Sequence, residues 1–535
     1  MKFEKYEKYL LILLILSAFL TTLSPIWDPD CFWHLAFGKY IFENKTLVKT
    51  EPFSFVREGE ETTDLSWLPH TIFYRIYKNF GYLGCEIFVS FLAVLTIIVL
   101  ILLSKNLNKT MLPLVFYFSI FFTAFGGRFK LRPEGVTLVL FAFLIYLLTL
   151  YRENKLKYSI SFFFLFLLWT QIHPSWIYGL ILIPLYLFEK HLFSCGKLFF
   201  KDLFLIFILP IFSLFLNPYG YKPILFPFAS FLTMKSDSSF SIAEWQKSPF
   251  TLSTAPFIIF SFACVVFALY NFLKKKETFL PFIVSLVQLL FLLLWVRYSS
   301  FAFIGLTFVA TKMIESIIEK VSKLKKILIY LSFVLVVSPM FTIFRYQPTK
   351  EILYINYPEA ETNFLISEKI YGNIEHTFVA GGFVEFKTYP YCKSFIDGRY
   401  FDFEKEIKEF SKAKENLEIF QKFLEKYPFE IAIMPYTKAK INIKNNEAPR
   451  NAQAILLPKE NWAPIFYGPY GTIFLKRLPK YSKFIEKYEY KILFPYDKEF
   501  IFNLVKKGEA KEEDLKKEVE RAFKTEAKFL REKDD

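Results

Sequence analysis

Asp28-Pro29-Asp30-Cys31-Phe32-Trp33-His34-Leu35 follows directly on an apolar run at residues 9–26. Two carboxylates and an imidazole therefore stand where a hydrophobic helix would leave a bilayer. Charge beside hydrocarbon is costly unless it is paired, hydrated or put to use. Lys2, Lys5 and Lys8 precede the run as they would in a signal peptide. No small-residue cleavage site follows, so the run reads as an uncleaved anchor.

The apolar texture continues to residue 345. Hydrophobic residues make up 54% of the 535, against ~45–50% in soluble domains. A span needs ~20 residues at ~1.5 Å each. On that measure spans are expected near 9–26, 86–104, 111–126, 135–151, 158–172, 176–189, 202–217, 255–273, 279–296, 299–313 and 327–345. The pattern predicts an all-α polytopic membrane core of about eleven transmembrane helices. The runs at 176–189 and 299–313 are short and also fit re-entrant segments.

The loops set the orientation. Lys105 and Lys109, Arg152 with Lys155 and Lys157, Lys190 and Lys197, Lys274–Lys276, and Lys320 with Lys323, Lys325 and Lys326 share one side. The positive-inside rule makes that side cytoplasmic, together with the N-terminus. The other side receives the first loop (27–85), Gly127–Glu134, His173-Pro174-Ser175, Pro218–Thr254, Arg297 and everything after Arg345. Arg128, Lys130 and Arg132 are basic residues on this outer side, where topology gives no reason for them.

In the first loop, residues 30–43 and 66–79 are aromatic helical stretches suited to lie in the membrane interface. Glu51-Pro52-Phe53-Ser54-Phe55 between them reads as an extended turn. Past residue 345 the pattern becomes that of an extracytoplasmic α/β domain. Residues 358–371 are expected helical, Phe378–Phe386 and Lys393–Ile396 strands with a bulge or close approach at Gly381-Gly382, and Asp397-Gly398-Arg399 a turn. A long charged helix is expected over 402–426 and strands at Phe429–Met434 and Gly471–Arg477. The divisions are 1–345 membrane core, 346–500 soluble domain, and 501–535 a charged helical tail.

The formal charge of +15 does not indicate nucleic acid, because the cations lie in short loops and in a mixed-charge C-terminal segment. Five scattered cysteines with no CxxC spacing exclude a zinc or redox motif. Cys31 and Cys85 bracket the first loop, and free thiols are the expected state of both.

Several residue groups fit chemistry. Asp30 and His34 share a helix face if a helix begins at Asp30. Asp28, Asp30 and His34 suit a divalent metal such as Mg or Mn, and either aspartate suits a general base. Equally, Asp30 would cap the helix and Asp28 be solvated. Arg128, Arg132 and neighbouring Glu134 offer guanidinium forks to a phosphate, or anchor lipid headgroups. Arg297 has the same alternatives. His173 suits a ligand contact or a structural turn. Glu244-Trp245-Gln246 places a ring beside a carboxylate, a common way to hold a sugar. Asn217-Pro218-Tyr219-Gly220 reads as a helix stop and turn.

Asp28-Pro29-Asp30…Trp33-His34-Leu35, then Gly38, Pro52-Phe53-Ser54-Phe55 and Trp67-Leu68, resembles a bacterial family of polytopic proteins in the glycosyltransferase-C (GT-C) superfamily. The branch is the one similar to protein mannosyltransferases and lipid A aminoarabinose transferases. The resemblance extends to Arg132-Pro133-Glu134, His173-Pro174-Ser175, Glu244-Trp245-Gln246, Arg297, Gly381-Gly382 and Ile396-Asp397-Gly398-Arg399. Phe32 and Gln171 depart from it, standing where Trp and Asn are common. The resemblance implies a polyprenyl-phosphate sugar donor, a glycan, lipid or protein acceptor, and a catalytic acid at Asp28 or Asp30. It also implies the outer face of a bacterial inner membrane. Two other functions share these features. A non-catalytic membrane scaffold would keep the fold without the reaction. A lipid-linked sugar flippase would need charged or broken helices at the bilayer midplane, and the apolar runs hold few charges.

Overall fold

The computed structural model describes residues 5–107, 110–125, 129–152, 160–192, 199–236, 246–413, 416–441 and 450–531. The chain forms two compact units: residues 1–26 with 63–347, and residues 27–62 with 348–535. The first loop is thus divided between them.

The first unit is helical. Each of the eleven expected apolar runs is mostly helical over its described residues. Four helices among the described residues are long and apolar enough to cross a membrane: Trp67–Lys105, Pro133–Tyr151, Ala255–Leu273 and Val296–Lys320. Leu280–Leu294 and three others are apolar but shorter. Ile259, Phe262, Val266, Tyr270 and Leu273 are all exposed on one helix. Their spacing by three and four lines one face, and a continuous apolar stripe of this kind is covered by lipid in a membrane protein. Inside, Phe121 stacks on Phe303 at 4.1 Å, and the Tyr117 hydroxyl donates to the Phe303 carbonyl at 3.0 Å. The Trp67–Leu107 helix turns sharply at Gly81, with φ 63° and ψ −159°. A β-carbon is strained in that backbone.

The second unit is α/β. Its strands are β1 (Ile374–Glu375), β2 (Ile431–Pro435), β3 (Lys440–Ile441), β4 (Arg450–Asn451), β5 (Trp462–Tyr467) and β6 (Gly471–Lys476). The main sheet runs β1-β2-β6-β5, with β1 parallel to β2 and the other pairs antiparallel. Ile374, Ile431, Ile433, Ile473 and Leu475 make its core with Phe364, Ile465 and Phe466.

Three expectations are corrected here. Phe378–Ala380 is a 3₁₀ turn and Gly381–Thr388 an α-helix, not a strand. Lys393 and Ser394 make only isolated bridges. The charged segment 402–426 is two helices, Tyr400–Ala413 and Leu417–Lys426, because the Asn416 side chain accepts from the Glu418 and Ile419 N–H groups. In the Asp30–Asn44 helix, Cys31, Phe32, Leu35, Ala36 and Phe37 are buried, Phe32 against Tyr357 and Phe383 at 4.8 and 4.9 Å.

The tail helix Glu512–Arg531 is docked. Glu518 accepts from the N–H groups of Lys491, Ile492 and Leu493, and the Arg521 guanidinium lies 4.1 Å from the Tyr490 ring centre. Cys31, Cys85, Cys264 and Cys392 are free thiols.

Gly381 and Gly382 serve close approach. A β-carbon on Gly381 would stand 1.9 Å from the Ile396 carbonyl oxygen, and one on Gly382 would stand 2.8 Å from the Trp33 nitrogen. Backbone cannot yield as a side chain can. Gly381→Ala is therefore expected to destabilise the second unit by about 1–3 kcal/mol. Thermal unfolding of the detergent-solubilised variant, beside wild type, measures it.

Candidate functional site

In the second unit, Pro29 has no N–H to lose and precedes the helix that begins at Asp30. The Asp28 carboxylate accepts from the Asp30 N–H at 3.1 Å and is buried. The expected roles are thus exchanged: Asp28 does the capping, and Asp30 stays half-buried. A β-carbon on Gly398 would stand 2.3 Å from Asp30 Oδ1 and 3.0 Å from Trp33 Nε1. The Asp-Gly-Arg turn therefore lies directly against the aspartate motif. The Tyr357 hydroxyl donates to the Trp27 carbonyl at 2.7 Å. Burial, with the nearby Asp28 and Asp30 carboxylates adding to it, raises the pKa of that phenol. His34 is buried, its ring 3.7 Å from that of Trp33. Among the described residues no group of three or more His, Cys, Asp and Glu side chains is arranged to hold a metal ion. Asp28, Asp30 and His34 do not form such a set.

The other motifs of the second unit build a buried polar knot. Ser54 donates to the Phe395 carbonyl at 2.7 Å, and Phe55 and Ser394 join backbones at 3.1 Å. Arg399 reaches Asp397 Oδ2 at 2.7 Å through Nε and Glu51 at 2.6 Å. The Asp397–Arg399 turn is an ion pair that shapes the chain, as its sequence allows.

In the first unit a cleft is lined by Lys130, Arg132, Glu134, Arg297, Ser300 and Phe301, among others. The Pro133–Arg152 helix starts here, with Pro133 at its first position and Glu134 in its first turn. Proline suits that position, since its missing N–H would be unbonded anyway. Glu134 pairs with Arg297, and its Oε1 lies 3.9 Å from His173 Nε2. His173 sits in the tight turn between two helices, where its Nδ1 accepts from the Ser175 N–H at 3.1 Å. Burial lowers its pKa to about 4, so the ring is neutral at pH 7. With Nδ1 accepting, the proton of the neutral ring is on Nε2, toward Glu134. The turn is held by Trp67 Nε1, which donates to Gln171 Oε1 at 3.0 Å, and by Asn217, which donates to the Thr170 carbonyl at 2.9 Å.

Arg132, Glu134, His173 and Arg297 thus come together, while Asp28, Asp30 and His34 belong to the other unit. Arg128, Glu244 and Trp245 lie outside the described residues. Gln246 accepts through its carbonyl from the Val296 N–H at 3.0 Å, beside Arg297. Lys130 and Ser300 also line the cleft. The basic run pointed to Lys130. A single serine at a helix start gives no such signal. The cleft holds about 20 Å³ of free space, room for roughly one water or one phosphate oxygen.

The fold is similar to that of an oligosaccharyltransferase. The Archaeoglobus fulgidus enzyme tethered to an acceptor peptide containing the NVT sequon aligns at TM-score 0.50 and 12% identity, over 88% of this chain and 74% of the other. The same enzyme in its apo form aligns at TM-score 0.49 and 12% identity, with 88% and 74% covered. At this identity the likeness establishes the fold alone. No protein-family profile matches the chain, and no curated protein does. The apolar helices and this fold make the chain a membrane protein.

Proposed function

We propose that this chain is a GT-C glycosyltransferase that moves a sugar from a polyprenyl-phosphate donor to a glycan, lipid or protein acceptor. The observation that carries the reading is the cleft of the first unit, where Lys130, Arg132 and Arg297 converge around a helix start at the end of a membrane helix. Transfer leaves a lipid phosphate bearing new negative charge. Fixed cations aimed at that charge stabilise the transition state more than the ground state. The acceptor must lose a proton as its bond to the sugar forms, and a carboxylate suits that step. Of the two aspartates we assign it to Asp30, which is half-buried where Asp28 is buried.

The setting that fits is the outer face of a bacterial inner membrane, with the N-terminus cytoplasmic, about eleven spans and the second unit extracytoplasmic. The branch similar to mannosyltransferases and aminoarabinose transferases is the one the sequence motifs favour.

Release of polyprenyl phosphate from a panel of labelled polyprenyl-phosphate sugars, in nanodiscs with cell-envelope acceptors, tests the reading. Arg132→Ala is expected to slow release by about 10²-fold, the size of one lost charge-stabilising donor. Equal rates in variant and wild type would remove the cleft from the reaction.

A further inference from the structure

We propose that Glu134 is a built-in stand-in for the donor phosphate, a carboxylate that holds Arg297 and yields it to an incoming phosphate by moving to His173. This rests on reading the cleft as a phosphate site. A carboxylate and a phosphate compete for the same guanidinium fork. Glu134 occupies that fork from within the chain, in the first turn of a helix, where the dipole favours an anion. Its second partner is already in place. His173 Nε2 lies 3.9 Å from Glu134 Oε1, a gap that a side-chain rotation would close to a hydrogen bond. The Ser175 N–H fixes the ring's orientation by donating to Nδ1.

A second observation points to the ligand independently. Ser300 is 4% exposed and lines the cleft, yet its hydroxyl has no hydrogen-bond partner among the described residues. A buried hydroxyl with no partner is costly. A phosphate oxygen beside Arg297 would accept from it.

The exchange sets affinity as well as position. Glu134 offsets one of the three cations, Lys130, Arg132 and Arg297, among the described lining residues. An incoming phosphate must first displace an anion, so it binds less tightly. The lipid phosphate left after transfer is displaced in turn when Glu134 returns. Glu134 is in this sense a positioning residue that favours product release.

The test is binding of farnesyl phosphate to the full chain in nanodiscs, by calorimetry, with farnesol as the control for the apolar tail. Glu134→Gln is expected to bind farnesyl phosphate roughly tenfold more tightly than wild type, the size of one charge-assisted hydrogen bond gained. His173→Ala is expected to bind it more weakly, because displaced Glu134 then finds no donor. Opposite shifts from two neighbours, with thermal midpoints near wild type, are not what a structural role produces. If Arg132→Ala weakens binding but Glu134→Gln binds no tighter than wild type, the phosphate site stands and the exchange is overturned. If wild type binds farnesyl phosphate no better than farnesol, the phosphate reading fails and the exchange with it.

Discussion

Arg399→Met is expected to unfold the second unit or cost it about 3–5 kcal/mol, the penalty for breaking a buried ion pair. The Arg399 side chain is 7% exposed, and that of Asp397 is fully buried. Its guanidinium bonds Asp397 and Glu51 and lies 4.8 and 5.0 Å from the ring centres of Phe37 and Phe403. Methionine fills the volume but leaves two buried carboxylates uncompensated. Thermal unfolding and limited proteolysis of the variant measure the loss. Glu385 belongs to the same knot and predicts its pH dependence. Burial first, then the Asp397 carboxylate, holds the Glu385 pKa well above the ordinary 4.5. The folded state therefore keeps a proton that the unfolded chain has released. Stability from this group is present in full below about 4.5 and is lost as pH rises through the folded value. Glu385→Gln keeps the neutral form at every pH. Its unfolding midpoint should fall less than that of wild type between pH 5 and 8.

Asp30→Asn is expected to lower sugar transfer by about 10²–10⁴-fold, the usual loss when a general base is removed. Asparagine has nearly the shape of aspartate, so the helix that begins at this residue should persist. Asp28→Asn should do much less, since the amide oxygen still accepts from the Asp30 N–H. The pair of variants separates base from cap within three residues. Donor turnover in nanodiscs, with melting curves on both proteins, is the measurement. Equal activity in wild type and Asp30→Asn would remove the base from Asp30. A scaffold would show no turnover in any of the three.

The helical unit was legible because hydropathy alone marks apolar helices, and the described residues of the eleven runs are mostly helical. The second unit was harder. Phe378–Phe386 is rich in Phe and Val and suits a strand by propensity. Yet Gly381 and Gly382 start a helix there, set by contact with Ile396 and Trp33. β5 was missed because Pro464 interrupts it, and the register does shift between Pro464 and Phe466. The split at Asn416 had a local signal, since Asn before Leu417-Glu418 is a good helix cap. At the site, the basic run and His173 were visible as residue types. Their convergence was not, because Glu134 and Arg297 meet only through tertiary packing. Which of Asp28 and Asp30 caps the helix is likewise a matter of backbone direction, which an Asp-Pro-Asp string leaves open.

The most direct test of the phosphate cleft is cryo-electron microscopy of the full chain in nanodiscs loaded with undecaprenyl phosphate. The account predicts phosphate density within hydrogen-bond distance of Arg132, Arg297 and the Ser300 hydroxyl. Lipid phosphate density elsewhere, with Glu134 still on Arg297 and nothing beside Ser300, would contradict it.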